Sequence, residues 1–393
     1  MLIYIIILFF FFLLVIRYDV NHVKQGRNVF FVLEAVILIL LFGLRYRVGG
    51  DSLLYEDNWY KLPNLSDLQG KDAFDHYSKQ PLYYIFVAII KELGGGFVAF
   101  QIVHAIIVNT VFFKIIKQYC THIFTAVIFY FCIIAFNSNT EILREALAVA
   151  VFLLSLKYLM AHKWIPYYIC CIIAFNFHIS AVICFLIPFL LKFCTKQWRF
   201  SRLIPILVVL GVLSFVYVQY LPSLLSFVFT LLSSFNMDKM EIYTSMLGSN
   251  NVNGYILSII NVSIILFFAY AMRKNNLNSP IQNLAMNMTF IFTAMNMIIP
   301  IMGSRWAGYF SILYYICIAD LLYSFRGKNG SLKLLTYLFL YFITFTTIRT
   351  QLAPDPWAPS KIPTYQRYIP YHSVFDKQKE PDREASVREI YDI

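Results

Sequence analysis

The chain has 393 residues, of which 60% are hydrophobic, 18% aromatic and only 13% charged, with a mean hydropathy of +0.66. Soluble domains carry about 25% charged residues, so a cytosolic enzyme and a disordered chain are both excluded, and the expected solvent is a bilayer. The formal charge of +11 does not mark a nucleic-acid binder. Residues 45–80 hold five basic and six acidic side chains and residues 349–393 hold seven of each. The surplus therefore lies in short loops between apolar runs, where cytoplasmic Lys and Arg are expected.

The first element in chain order is an apolar run over 2–16. No positive charge precedes it, and Arg17, Lys24 and Arg27 follow. A secretory signal has the reverse charge order and a small-residue cleavage site, so this run reads as a retained first helix with its N-terminus outside. Further runs lie at 29–44, 97–116, 122–136, 144–160, 164–177, 178–194, 203–221, 255–272, 282–300, 306–325 and 331–348. A hydrocarbon core of ~30 Å asks for about 20 residues per helix, so the short runs must borrow flanking Tyr, Trp and Asn. The expected fold class is an all-α polytopic membrane protein. The helical bundle covers 1–348, with an outer loop at 45–96, and 349–393 forms a polar extracytoplasmic tail.

Counted as twelve crossings, the inner loops hold Arg17, Lys24 and Arg27; Lys114 and Lys117; Lys157 and Lys163; Lys192, Lys196, Arg199 and Arg202; Arg273 and Lys274; and Arg326, Lys328 and Lys333. The outer segments are 45–96, 137–143, 176–178, 222–254, 301–305 and the tail. Every short loop then obeys the positive-inside bias. The count requires that Pro81–Leu93 does not cross. This stretch begins at a proline, contains Lys91 and Glu92, and ends at Gly94-Gly95-Gly96, which fits a re-entrant or interfacial helix on the outer side. The alternative, a full crossing, would place four positive clusters outside. The seven cysteines lie in or beside apolar stretches without disulfide or metal spacing, and Cys170-Cys171 reads as helix filling.

Ionisable residues near helix ends sort by side. The outer ends carry Arg45, Arg47 and Asp51, then Glu141 and Arg144, then His178, then Arg305. Charge near membrane depth is expensive and marks a pathway or a site; groups in the outer interface can also simply face water. In Gly43–Asp51, two arginines, a glycine pair and a carboxylate follow directly on a helix end. Arginine offers phosphate two parallel charge-assisted hydrogen bonds, and Gly49-Gly50 lets backbone N–H groups approach an anion. Tyr55, Trp59 and Tyr60 beyond it are either sugar-stacking faces or interface anchors. In Asn139–Glu145, Asn139 or Thr140 can cap a new helix, and Glu141 and Arg144 at i,i+3 can pair on one face. His178 sits at a turn between runs of 14 and 17 residues, too short to clear the full hydrocarbon thickness. It is therefore expected below the surface, as an acid/base, a phosphate ligand or a structural histidine.

These segments together resemble the EpsG family of Wzy-like polysaccharide polymerases. The resemblance rests on Arg45-Tyr46-Arg47-Val48-Gly49-Gly50-Asp51 with Tyr55, Pro81-Leu82-Tyr83, Arg144-Glu145-Ala146-Leu147-Ala148, Phe177-His178-Ile179-Ser180, Ser304-Arg305 with Tyr309-Phe310, and Pro370-Tyr371-His372. It implies a multi-pass enzyme of the bacterial inner membrane whose active site faces the periplasm or outer side. Such proteins join oligosaccharide units carried on undecaprenyl diphosphate into capsular, exopolysaccharide or O-antigen chains. The implied partners are that lipid-linked oligosaccharide, the bilayer and a chain-length regulator, with no cofactor, no metal and no nucleic acid. Cations must then meet the leaving diphosphate, and a base must take the proton of the attacking sugar hydroxyl. Arg45, Arg47, Arg144 and Arg305 are assigned to the diphosphate, Tyr55 and Trp59 to sugar, while Asp51, Glu141 and His178 compete for the base. Two rivals keep the same charged cavity: a flippase or transporter of lipid-linked oligosaccharide, and a lipid-linked-sugar transferase that does not polymerise. A transporter should carry two similar halves, and no such symmetry is visible in the chain.

Overall fold

A computed structural model describes residues 1–68, 80–198, 252–296, 300–325, 330–355 and 362–385. Among the described residues there is no β-strand, so helix packing is the architecture. The chain divides into two units, Met1–Pro188 with Ile318–Ile393, and Phe189–Cys317. Among the described residues, five helical segments are long and apolar enough to cross a membrane: Leu2–Val20, Phe97–Tyr119, Leu257–Lys274, Gly303–Ser324 and Gly330–Leu352. Ile123–Ala135 and Trp164–Phe177 are shorter apolar helices. The run expected at 203–221 lies outside the described residues.

In the first unit α1 (Leu2–Leu14) continues as a π-helix over Val15–Val20, and α2 (Arg27–Gly43) follows. Next come α3 (Asp51–Asp57), α4 (Pro81–Glu92) and α5 (Phe97–Tyr119). At 1.5 Å per residue, α4 is about 18 Å long, well short of the ~30 Å core. Proline opens it, the Gly94–Gly96 turn closes it, and α5 then starts afresh. It is held by an apolar cluster of Trp59, Tyr83, Val87, Ile90, Phe97, Phe100 and Leu143. Phe100 is fully buried there, with ring centroids 5.8 Å from Trp59, Phe86 and Phe97 and 6.2 Å from Tyr83. Removing such a ring costs roughly 3–5 kcal/mol in a packed core.

The segment 137–143 departs from the expected loop. After α6 (Ile123–Phe129), two π-helical stretches cover Tyr130–Ala135 and Asn137–Glu141. Asn139 Nδ2 donates back to Ala135 O at 2.7 Å and Thr140 Oγ1 to Phe136 O at 2.8 Å. These side chains therefore stabilise the preceding turn instead of capping the next helix. Ile142, not Asn139 or Thr140, stands at the start of α7 (Leu143–Met160), and no side chain caps it.

Next is α8 (Trp164–Phe177), which coincides with the expected run. The run expected at 178–194 is not one helix. The amide of Ser180 donates to His178 Nδ1 and starts a 3₁₀ stretch over Ile179–Phe185, and α9 (Ile187–Cys194) restarts beside Pro188. Proline lacks the N–H that an uninterrupted helix would use.

The second unit holds most of α9, then α10 (Val252–Lys274), α11 (Pro280–Met295) and the first part of α12 (Pro300–Ser324). Residues 301–305, expected as an outer loop, belong to α12. Asn287 Nδ2 ties α11 to Cys194 O at 2.8 Å and to Lys196 O at 2.9 Å.

The end of α12, α13 (Gly330–Leu352) and the tail belong to the first unit. Asp320 accepts the Thr121 and His122 amides at 3.0 Å each and faces His122 Nδ1 at 2.9 Å. Asp19 accepts the Thr125 amide at 2.7 Å. Arg27 donates to Thr121 O at 2.7 Å. The loops at 17–27 and 119–123 and the end of α12 thus meet at one end of the unit.

Candidate functional site

At the other end of the first unit, the loop after α2 is locked by the C-terminal tail. Tyr46 N–H donates to His372 O, Val374 N–H to Leu44 O and Gly49 N–H to Arg367 O, each at 2.8 Å. Arg383 reaches across both, donating to Arg47 O at 2.7 Å and to Gln366 O at 2.9 Å. A tail with balanced charge reads in sequence as a solvated extension. Here it is an integral wall of the site, and Arg367, Arg383 and Glu384 are functional-end residues that sequence reasoning missed.

Arg45 is 1% exposed. Its guanidinium donates to the carbonyls of Phe42 and Val48, at the end of α2 and in the loop, and Nη2 has no partner among the described residues. Burial pulls its pKa down to about 10. Arg47 adopts a left-handed backbone, φ +51°, an uncommon state for a residue with a Cβ. That turn delivers its side chain to three carboxylates: both Nη atoms to Asp57 at 2.9 and 3.3 Å, Nε and Nη2 to Glu384, and Glu56 at 3.6 Å. Burial works against its charge, but Glu384 and Asp57 outweigh burial and hold its pKa above the ordinary value. Glu56 is itself raised by burial. In this arrangement the donors of Arg47 are committed to the protein's own acids.

The backbone cradle at Gly49-Gly50 is occupied as well. Glu141 Oε1 accepts from Gly50 N–H at 2.8 Å and Thr140 Oγ1 at 3.2 Å, while Oε2 accepts from Asp51 N–H at 3.2 Å and faces Arg367 Nη1 at 3.4 Å. The carboxylate therefore sits at the positive N-terminal end of α3. Both glycines are required by this approach: a Cβ on Gly49 (φ +101°) would meet Thr140 Cβ at 2.5 Å, and one on Gly50 would meet Glu141 Oε2 at 2.9 Å. The expected Glu141–Arg144 pair is absent, because the break at Ile142 puts the two residues on different helices.

Arg144, at the start of α7, is half-buried and makes no ion pair among the described residues. Its Nη1 donates to Gln80 Oε1 at 2.9 Å, and its guanidinium lies 5.6 Å from the ring centres of both Tyr55 and Tyr83. Both are cation–π distances. Asp51 is an electrostatic neighbour of Tyr55, whose phenol is pushed up to about 12 by burial and stays protonated near neutrality. Next along α7, Glu145 Oε1 accepts from Ser180 Oγ at 3.1 Å, and Ser180 Oγ lies 2.7 Å from His178 Nδ1. His178 is buried. Trp59 is buried too, in the apolar cluster with Lys91 5.5 Å over its ring, so its face is covered. Arg305 is exposed on α12 in the second unit.

The structure thus brings Arg45, Arg47, Asp51, Tyr55, Glu141, Arg144 and His178 to the same end of one unit. Helical architecture, membrane-length apolar helices and a charged, aromatic end define a multi-pass membrane protein. Residues 28–373 match the EpsG family, and the chain belongs to it; membership points to polysaccharide biosynthesis. No curated protein and no solved structure matches the chain.

Proposed function

We propose that this chain is a polymerase that joins oligosaccharide units carried on undecaprenyl diphosphate, at the outer face of a bacterial inner membrane. The reading keeps the twelve-crossing topology, with 45–96 and the tail outside. The observation that carries it is Arg144: a half-buried guanidinium held by an amide and two aromatic rings instead of a carboxylate, at the same end of the unit as Asp51, in an EpsG-family chain. A cation whose neighbours are neutral keeps its charge for a ligand. Arg47 and Arg367 are neutralised by the protein's own acids.

In this mechanism Arg144 meets the diphosphate of the donor. Tyr55 flanks it and presents an apolar face to the first sugar, while Tyr83, buried in the apolar cluster, supports the guanidinium from within. Asp51 accepts the proton of the acceptor hydroxyl as that oxygen bonds to the anomeric carbon. The bond from the anomeric carbon to the diphosphate oxygen breaks, and the carrier leaves as its diphosphate. Positioned bases and charge stabilisers of this kind each contribute about 10²–10⁴-fold and 10²–10³-fold. Glu141 builds the loop. His178, through Ser180 and Glu145, positions the start of α7 that carries Arg144.

The test is a detergent assay with purified full-length protein and lipid-linked units, without a membrane to cross. A ladder of longer chains is expected. Its absence, with substrate intact and protein monodisperse, would overturn the polymerase reading in favour of a transporter.

A further inference from the structure

Two helices of the first unit leave a lateral opening. Both α1 and α2 pack against α6, and at the lower end Tyr18 meets Phe30 at 5.8 Å. Toward the tail a groove of about 930 Å³ lies between them, lined by Ile3, Ile6, Phe10, Ile37, Leu40 and Tyr371 among others. Its volume lies within the ~300–1,000 Å³ of small-molecule sites. From Met1 to Phe10 the wall extends about 14 Å along the helix axis. The side toward the surroundings is open: Ile6 is 56% and Leu40 51% exposed.

The closed end is the informative one. Tyr371 hydroxyl donates to Leu41 O at 2.9 Å, and Tyr4 hydroxyl to Tyr368 O at 2.9 Å, so the tail roofs the groove. Leu44 lines it and is followed directly by Arg45, whose backbone pairs with Ser373 and whose Nη2 is buried without a partner among the described residues. Phe375, also in the lining and 84% exposed, belongs to this same roof. An apolar ring left outside the fold on a polar tail fits an interfacial depth. The groove therefore starts at the loop that carries the site and descends along membrane-facing side chains.

We propose that this groove holds the polyprenyl chain of the lipid-diphosphate donor. The proposal rests on the donor class given above. A single apolar chain entering sideways from the bilayer would seat its first isoprene units between α1 and α2. Its diphosphate would emerge at the Leu44–Arg47 loop, at the end of the unit that carries Arg144. Seating the carrier in the protein helps fix the anomeric carbon against the base.

The experiment uses the full-length protein in nanodiscs and a diazirine-bearing polyprenyl diphosphate, with adducts mapped by mass spectrometry. Adducts on α1 and α2 lining residues are expected, falling at least tenfold with excess unlabelled polyprenyl diphosphate and unchanged by added phosphatidylglycerol. Adducts elsewhere, or equal competition by phosphatidylglycerol, would overturn the groove. In the elongation assay, Ile37→Trp fills the groove and should raise the KM for the lipid-linked donor at least tenfold with kcat little changed. Ile106→Trp, on an exposed face of α5, should leave KM alone. An unchanged KM in the Ile37 variant would equally overturn the proposal. The two readings fail separately: labelling does not require turnover, so a labelled groove in a protein that makes no ladder would reject the polymerase and retain the lipid site.

Discussion

Glu141 separates a structural carboxylate from a catalytic one. In Glu141→Ala, the amides of Gly50 and Asp51 lose their acceptor and Arg367 loses one of its two acids. An unsatisfied buried donor costs ~1–3 kcal/mol, so two of them, partly rehydrated, give about 2–5 kcal/mol. In Glu141→Gln one oxygen still accepts from Gly50, and the loss is about 1–2 kcal/mol. The assay is heating the detergent-solubilised protein and measuring the monodisperse fraction by size exclusion, alongside chain elongation at low temperature. The alanine variant should lose monodispersity well below the temperature of the wild type, while the glutamine variant remains folded and keeps activity within about tenfold. A glutamine variant as stable as wild type but reduced by 10²-fold or more would refute the structural assignment, because loss of a general base has that signature.

Arg144→Lys keeps the charge but loses the planar contact with Tyr55 and Tyr83; elongation should fall about 10²-fold at unchanged thermal stability. Arg47→Lys should act the other way, lowering the amount of folded protein in the membrane, since Glu384, Asp57 and Glu56 lose the fork that holds them together. Tyr55→Phe should preserve the shape of the pH–rate profile between roughly pH 6 and 9, because a phenol raised to about 12 is neutral throughout that window; a lost limb would mean the phenol titrates there. For topology, cysteines at Ser66 and Gly96 should both react with an impermeant thiol reagent in intact cells. Gly96 is the suitable position because a Cβ there meets nothing within 4 Å, whereas at Gly95 it would meet Ile90 O at 2.8 Å. Protection at 96 alone would show that Pro81–Glu92 crosses.

The helical class was legible because apolar runs and their lengths are set locally, and Trp164–Phe177 and Phe97–Tyr119 coincide with or extend the expected runs. Irregular turns were not. Asn139 and Thr140 carry ideal capping side chains, yet tertiary packing turned them back onto Ala135 and Phe136. The site was legible as a set of residue types, while their pairing was not. Glu141 and Arg144 have a helical spacing only if one helix runs through both, and Ile142 breaks it. Arg367, Arg383 and Glu384 lie more than 300 residues from the loop they hold or more than 200 from Glu141, and nothing local announces such contacts. Asp320, an acid inside the apolar run 306–325, and Asp19, just past the run 2–16, did carry a local signal that the basic loops around them obscured.

Those two acids also show how the Arg45 end should be judged. Asp320 and Asp19 do for α6 what Glu141 does for α3: each places a carboxylate on the free amides at a helix start, where the backbone leaves N–H groups without intrahelical partners. Burying an acid is costly unless donors meet it, and these helix starts supply them. Charged residues gathered at a helix end are therefore insufficient to mark a site, because both ends of the unit have them. Arg47 and Arg367 belong to the same structural class, since each meets at least two carboxylates. Arg144 does not. Its neighbours are an amide and two rings, which support a cation without cancelling it, and an anion arriving there would displace none of the protein's own acids. If the site binds a diphosphate, the affinity should follow Arg144 more closely than Arg47, although the loop around Arg47 has the richer sequence motif.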